Sequence, residues 1–306
     1  MRRVIITGPT GTIGIALIQE LIQQNIEVLA ICHRNSRRIQ DIPKSSLVHM
    51  LELNLDELSK LKQLKGNEKY DVFFHLGWDG TFGNTRDNVQ EQLNNVQYTL
   101  DAVRTAHELG CKRFIGVGSQ AEYGRVTVPL NAMTPTHPEN GYGMAKLCAG
   151  QMSRLLAQQL DIEHIWVRVL SIYGPYDGEN TMIMSTIHKL LRGERPLLTK
   201  GEQIWDYLYC KDAARLLTGI AENGRNGKTY CLGSGQGRPL KEYIEQIRDE
   251  IDPNLALGFG EISYGEKQVM YLVADTSDLV QDIGMSADTK FSKGIKETIK
   301  WVRKRM

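Results

Sequence analysis

The chain has 306 residues, with 37 Lys and Arg against 36 Asp and Glu, a formal net charge of +1, and a 41% hydrophobic content. So even a balance argues against a polybasic coat for a nucleic-acid polymer or a membrane surface, and no apolar run reaches the ~20 residues of a membrane helix. One large domain or two modest ones fit this length, and either buries a substantial core. The five cysteines (Cys32, Cys111, Cys148, Cys210, Cys231) are odd in number, widely spread and free of any CxxC pair. They predict neither a disulfide framework nor a structural zinc, and no metal site is expected. Met1-Arg2-Arg3 leads straight into a β-branched run with no apolar leader, so a cytoplasmic location is expected.

Short β-branched runs alternate with longer helical patterns through the first half, which predicts a doubly wound parallel α/β sheet. The expected strands are 4–7, 27–32, 47–53, 71–76, 113–118 and 164–170. A helix starting near Asp87 spaces Val89, Leu93, Val96, Leu100, Val103 and His107 by fours and threes, an amphipathic pattern of about five turns. A second helix is expected over 142–160. After Tyr173-Gly174-Pro175 the rhythm breaks. Loops rich in glycine or proline at 174–178, 233–239 and 253–265 separate shorter helices, and a basic amphipathic helix near 293–305 closes the chain. The expected division is a dinucleotide-binding domain of residues 1–174 and about 205–233. A smaller, discontinuous substrate lobe then comprises about 175–204 and 234–306.

Thr7-Gly8-Pro9-Thr10-Gly11-Thr12-Ile13-Gly14 follows the first strand and opens a helix. Glycines at steps of three let the backbone turn tightly, approach a pyrophosphate and pack the helix on the sheet, with phosphate on the helix N–H groups. Gly8, Thr10, Gly11, Thr12, Ile13 and Gly14 are therefore cofactor candidates; an ordinary turn is the alternative. Asn54 after the third strand, and Leu76 and Gly77 after the fourth, are further candidates because strand carboxyl ends border the crevice. His75 either lines that crevice or is a hydrogen-bonded core histidine.

This spacing, with its preceding Thr, resembles the extended short-chain dehydrogenase/reductase family, which includes nucleotide-sugar epimerases, dehydratases and reductases. The resemblance implies a Rossmann-type fold and a nicotinamide dinucleotide. Members that prefer NAD end the second strand in Asp or Glu; here it runs Ile31-Cys32-His33-Arg34-Asn35-Ser36-Arg37-Arg38. With no carboxylate there and Arg34 available to pair with a 2′-phosphate, backed by Arg37 or Arg38 and beside His33, NADP(H) is expected over NAD(H).

Two Tyr-x-x-x-Lys pairs occur, Tyr142/Lys146 and Tyr207/Lys211, and position separates them. Tyr142 and Lys146 share a face of the helix after the fifth strand, and Ser119 ends that strand. The three resemble the family's Ser–Tyr–Lys catalytic set. Asn95 matches the family's usual Asn on the preceding helix and is a further cofactor candidate, Asp206-Tyr207 and Asp212 resemble a later segment of the family, and 273–277 its C-terminal strand. A tyrosine titrates near pH 10, so bringing it near neutrality takes roughly 4 kcal/mol. An ammonium about 5 Å away supplies around 3 kcal/mol at an effective dielectric of 20. Tyr142 is expected to give its proton to a substrate carbonyl that Ser119 orients, with Lys146 also holding the nicotinamide ribose.

The family's 4,6-dehydratases carry Asp-Glu where this chain has Gln120-Ala121, and GDP-fucose synthase has a cysteine at the position of Ala121. The resemblance thus points to NADPH-dependent reduction of a nucleotide-diphospho-4-keto-(6-deoxy)hexose. A 4-epimerase holding NAD is the first alternative, and a non-catalytic regulatory protein of the same fold the second. Gln120, Tyr173, Tyr176, Asn180, Trp205 and Lys267 are the substrate candidates, with Trp205 in place of the family's arginine. The Asp87 and Tyr142 helices pair into a homodimer interface in many relatives, and Met152, Leu155 and Leu156 are expected to be exposed for it.

Overall fold

A computed structural model describes residues 1–306. In chain order the main sheet begins with β1 (Arg3–Thr7), α1 (Thr12–Gln23), β2 (Glu27–Cys32), β3 (Val48–Glu52), α2 (Leu61–Lys65) and β4 (Val72–His75). It continues with α3 (Val89–Glu108), β5 (Arg113–Ser119), α4 (Gly141–Gln159) and β6 (Glu163–Val169). The remainder comprises β7 (Ser171–Tyr173), α5 (Met182–Leu191), β8 (Ile204–Trp205), β9 (Tyr207–Tyr209), α6 (Cys210–Asn223) and β10 (Thr229–Leu232). It ends with β11 (Arg238–Pro239), α7 (Leu240–Ile251), β12 (Tyr271–Leu272), α8 (Ser277–Ile283) and α9 (Phe291–Arg303).

Seven parallel strands stand in the order β10-β6-β5-β4-β1-β2-β3. Chain direction across the sheet reverses between β1 and β4, and the crevice opens there. Helices cover both faces, so strands are apolar on both sides: Val4 and Ile6 join one core with α1 and α6, while Ile5 joins the other with α3. The six expected strands are all present. The seventh, β10, is a four-residue run in the part of the chain where the strand–helix rhythm has broken. The expected strand at 273–277 is displaced. Pairing occurs instead at Tyr271–Leu272, and Ala274 makes only an isolated bridge to Leu130.

On α3 the apolar spacing misidentifies the inner face. Val89 and Leu93 are 69% and 56% exposed, whereas Gln92, Asn95, Thr99 and Ala102 are buried, with only Val103 shared between the two sets. The amino-terminal half of α3 flanks the carboxyl ends of β4 and β5, where loop backbone needs hydrogen-bond partners. Polar side chains are therefore buried there and apolar ones face outward. On α4, Met152 and Leu155 are exposed as expected, but Leu156 is half-buried against the core under α3.

Candidate functional site

The glycine loop is shaped by steric necessity. Gly8 adopts φ +69°, and a Cβ there would stand 2.8 Å from the Gly77 backbone nitrogen. A Cβ on Gly14 would stand 2.3 Å from the Gly8 carbonyl oxygen, so α1 starts directly on the turn. No side chain caps α1, and the N–H groups of Thr12 and Ile13 have no acceptor within the chain. Donors left unpaired at a helix start, above a turn with no side-chain bulk, fit a dinucleotide pyrophosphate. Gly77 is tied to this turn by donating to Thr7 Oγ1 at 3.1 Å. His75 resolves as the core histidine. Its Nδ1 lies 2.9 Å from Thr7 Oγ1 and its Nε2 3.3 Å from Thr99 Oγ1, and burial lowers its pKa to about 3.

The basic loop after β2 is less free than its sequence suggests. Asn54 accepts from the Arg34 N–H at 3.0 Å, and Arg34 Nη1 lies 3.0 Å from Glu57 Oε2. Glu52, at the end of β3, accepts from the Asn35 N–H at 3.4 Å. The stretch lacks acids in sequence, yet the fold brings two carboxylates to it from the neighbouring strand and turn. Arg38 donates to the Tyr176 carbonyl at 2.5 Å and so is occupied elsewhere. His33 and Arg37 are exposed, and Arg37 has no ion-pair partner.

Ser119 ends β5 and caps the 3₁₀ turn Gln120–Glu122, with its Oγ accepting from the Ala121 N–H at 3.2 Å. Asn140 caps α4 through the Gly143 N–H at 2.8 Å. A Cβ on Gly143 would lie 2.3 Å from the Ala121 carbonyl, so α4 seats its first turn directly on the segment after Ser119. That approach brings Tyr142 to Ser119, whose hydroxyl favours the ionised phenol. One turn on, Lys146 is buried, donates from Nζ to the Val117 carbonyl at 2.6 Å and lies 5.9 Å from the Tyr142 ring centroid.

Burial dominates the electrostatics. It raises the Tyr142 pKa, while the Ser119 hydrogen bond and the Arg86 guanidinium, 4.8 Å over the ring, pull the other way. Burial lowers Lys146 to about 7, opposed by the Glu122 carboxylate. Desolvation thus acts on both groups, raising the phenol and lowering the ammonium.

Trp78 and Gln92 at this site went unnoticed in the sequence. The Lys146 ammonium sits 3.8 Å over the Trp78 ring, whose edge meets Tyr142, and Trp78 Nε1 donates to Gln92 Oε1 at 3.0 Å. Asn95 clamps the backbone of Asp79, accepting its N–H and donating to its carbonyl, both at 2.9 Å. Its side chain is therefore committed to the loop after β4. The only sequence cue for Trp78 was its place just beyond a strand carboxyl end.

The substrate candidates are not all gathered together. Gln120 is half-buried beside Ser119. Trp205 donates to Ser171 Oγ at 2.8 Å and, with Tyr207, lines a cavity of about 350 Å³ that includes Ser185, Leu197 and Gln268. Tyr173 is a core residue, packed on Tyr209 and Phe291 and donating to the Phe291 carbonyl. Tyr176 packs instead on Trp301 and under Arg305, drawn away by the aromatic surface of α9. Asn180 and Lys267 are exposed surface residues. Leu76 packs against the core, and Thr10 and Gly11 stay partly open in the glycine turn. All five cysteines are free thiols, no His/Cys/Asp/Glu cluster could hold a metal, and no helix is long and apolar enough to cross a membrane.

A profile of the NAD dependent epimerase/dehydratase family matches residues 4–233. The chain belongs to this family. It is an enzyme of the extended short-chain dehydrogenase/reductase type. It is 24% identical to the dTDP-4-dehydro-6-deoxyglucose reductase of Escherichia coli, over 98% of this chain and 97% of that protein. Among solved structures, it resembles the UDP-N-acetylglucosamine 4-epimerase of Methanobrevibacter ruminantium in complex with UDP-N-acetylmuramic acid. That likeness has a TM-score of 0.90 at 22% identity, covering 100% of this chain and 99% of that one. It also resembles the dTDP-glucose 4,6-dehydratase of Bacillus anthracis in complex with NAD, with TM-score 0.85, 16% identity and coverage of 99% and 97%. Proteins named as a 4-epimerase and as a 4,6-dehydratase thus share this backbone.

Proposed function

We propose that this family member is an NADPH-dependent reductase of a nucleotide-diphospho-4-keto-(6-deoxy)hexose. The observation that carries the reading is the placement of Ser119, at the end of β5, beside Tyr142 and Lys146 one turn apart at the start of α4, with burial raising the Tyr142 phenol. Gln120 and Ala121 follow Ser119 and provide no second acid–base pair such as dehydration needs. One proton donor is what a carbonyl reduction uses.

A reduced nicotinamide dinucleotide with its pyrophosphate on the glycine loop would supply the hydride. Gly8 and Thr12–Gly14 offer backbone N–H groups to the pyrophosphate, and Arg34, with Arg37 exposed beside it, meets the 2′-phosphate. Ser119 holds the substrate carbonyl oxygen, and Tyr142 gives it the phenolic proton. Lys146, with a pKa near neutrality, holds the ribose and favours the phenolate that remains. The nucleotide diphosphate lies against the lobe of residues 175–204 and 234–306, with its base in the Trp205–Tyr207 cavity. The E. coli relative named for a 4-dehydro-6-deoxy sugar supports this substrate class.

The second reading, a 4-epimerase holding NAD, is favoured by one observation: Glu57 already engages Arg34, and a 2′-phosphate must displace it. Purified protein given dTDP-4-dehydro-6-deoxyglucose is expected to consume NADPH stoichiometrically, with NADH a poor substitute. Stoichiometric NAD co-purifying with the protein, and no net NADPH consumption, would instead establish the epimerase. We also propose a cytoplasmic homodimer. It forms through the outward faces of α3 and α4, where Val89, Leu93, Met144, Met152 and Leu155 are exposed. A monomer in sedimentation at micromolar concentration removes that assembly.

A further inference from the structure

Behind Ser119, away from the crevice, lies a buried ion pair that the reaction as described does not use. Glu122 is fully buried and Arg168 is 5% exposed, with Arg168 Nε 2.6 Å from Glu122 Oε2. Glu122 Oε1 accepts two further N–H groups, the Ser119 backbone at 2.8 Å and Trp166 Nε1 at 3.0 Å. The chain makes room for this arrangement with glycine. A Cβ on Gly118 would lie 2.2 Å from Glu122 Oε1, and one on Gly116 or Gly150 would collide with the Trp166 ring.

Packing alone does not explain the charges. Replacing a buried ion pair with neutral groups of similar shape is often neutral or stabilising, and a glutamine would accept the same two N–H groups through its carbonyl oxygen. We propose that Glu122, with Arg168 as its counterion, is a positioning residue of the catalytic group: it fixes Ser119 through the backbone and supplies the negative field behind Lys146.

The charged and titratable groups around the carboxylate agree with this role. Arg168 reaches the carboxylate from β6, and the Glu122 charge acts on Lys146 and Tyr142 of α4 and on Cys231 of β10. Tyr123 lies under the Arg168 guanidinium, and its hydroxyl is 2.8 Å from Cys231 Sγ. Arg168 Nη1 has no partner, so Glu122 is its one carboxylate. Burial lowers Lys146 to about 7, and Glu122 is the charge acting against that fall. Removing it takes away the charge that favours the ammonium beside Tyr142.

The inference rests on reading Ser119, Tyr142 and Lys146 as the catalytic group, so its test does not depend on turnover. The full-length protein labelled with ¹³C at lysine Cε is titrated by NMR, and the Lys146 resonance is identified by its loss in Lys146→Met. Glu122→Gln is expected to lower the Lys146 midpoint by about one pH unit, the size of one nearby charge in a partly buried setting. Adding Arg168→Met removes the uncompensated cation and brings the midpoint part of the way back. Arg168→Lys leaves it at the wild-type value. A Lys146 midpoint unmoved in both Glu122→Gln and the double variant overturns the proposal, whatever happens to stability. If Glu122→Gln does not fold, the double variant, which has no unpaired charge, decides alone. Loss of NADPH oxidation in Tyr142→Phe tests the underlying reading separately, so the two can fail independently.

Discussion

At the β1–α1 end of the crevice the chain offers bare backbone: a turn where a Cβ at Gly8 or Gly14 would collide, and helix N–H groups that nothing in the chain accepts. Across the crevice, residues 171–207 offer aromatic side chains already engaged with one another and with the core, as Tyr173 is with Tyr207, Tyr209 and Phe291. The first region must be kept open, because its ligand is met by main-chain groups common to every residue. The second is built from side chains that any of many sequences could supply. A dinucleotide grip therefore tolerates little change, while a sugar pocket can be rebuilt on the same backbone. That fits a fold shared here with proteins named as reductase, epimerase and dehydratase.

The comparison is sharpened most by Tyr142, which belongs to the invariant side of the argument although it is a side chain. Tyr142→Phe is expected to reduce kcat by roughly 10³-fold, within the range for losing a positioned general acid. NADPH affinity measured by fluorescence titration should change less than about threefold, because the phenol is not needed to hold the pyrophosphate. A variant that retained near-full turnover would put the proton donor elsewhere. Arg34→Ala is expected to have the next largest effect. It should weaken NADPH binding about tenfold, the scale of one charge-assisted hydrogen bond to a phosphate. NADH binding should be unchanged or improved, since the guanidinium's other partner is Glu57. Equal losses for both cofactors would mean that Arg34 only braces the loop.

The two regions also differ in how far sequence alone reaches them. Glycines at steps of three after a strand mark a tight turn into a helix, so the turn, α1 and the sheet around them follow from spacing. Ser119, Tyr142 and Lys146 follow from strand ends and helical periodicity. What spacing does not convey is which face of a helix the fold turns inward. In the amino-terminal half of α3, Val89 and Leu93 face out while Gln92 and Asn95 face in, because these two are needed by Trp78 and Asp79. Glu57 and Glu122 escape notice for a related reason. Each acts on a group that the fold, rather than the chain order, makes its neighbour: Arg34 across a strand and Lys146 across α4. Tyr173 and Tyr176 flank a Gly-Pro turn near the crevice, but their rings are claimed by α9 and the turn before it, more than a hundred residues away.

The smallest expected effect bears on the cost of burying Lys146 at the boundary between the two regions. Its pKa is lowered to about 7 from an ordinary value of 10.5, so between those limits the unfolded chain binds more protons than the folded one. Stability must then rise with pH across that window, and the burial penalty is fully present below about pH 7. Lys146→Met removes the titrating group while keeping most of the side chain's apolar length, and the Val117 carbonyl loses its donor in either pH range. Subtracting the two melting curves isolates the charge. The variant's Tm advantage over wild type should be greatest near pH 6 to 7 and should shrink by a few degrees as pH approaches 10. A difference that is flat with pH would mean that Lys146 is solvated or fully paired in the folded protein. Its ammonium would then persist throughout, and Tyr142 would face a full positive charge rather than a half-discharged one.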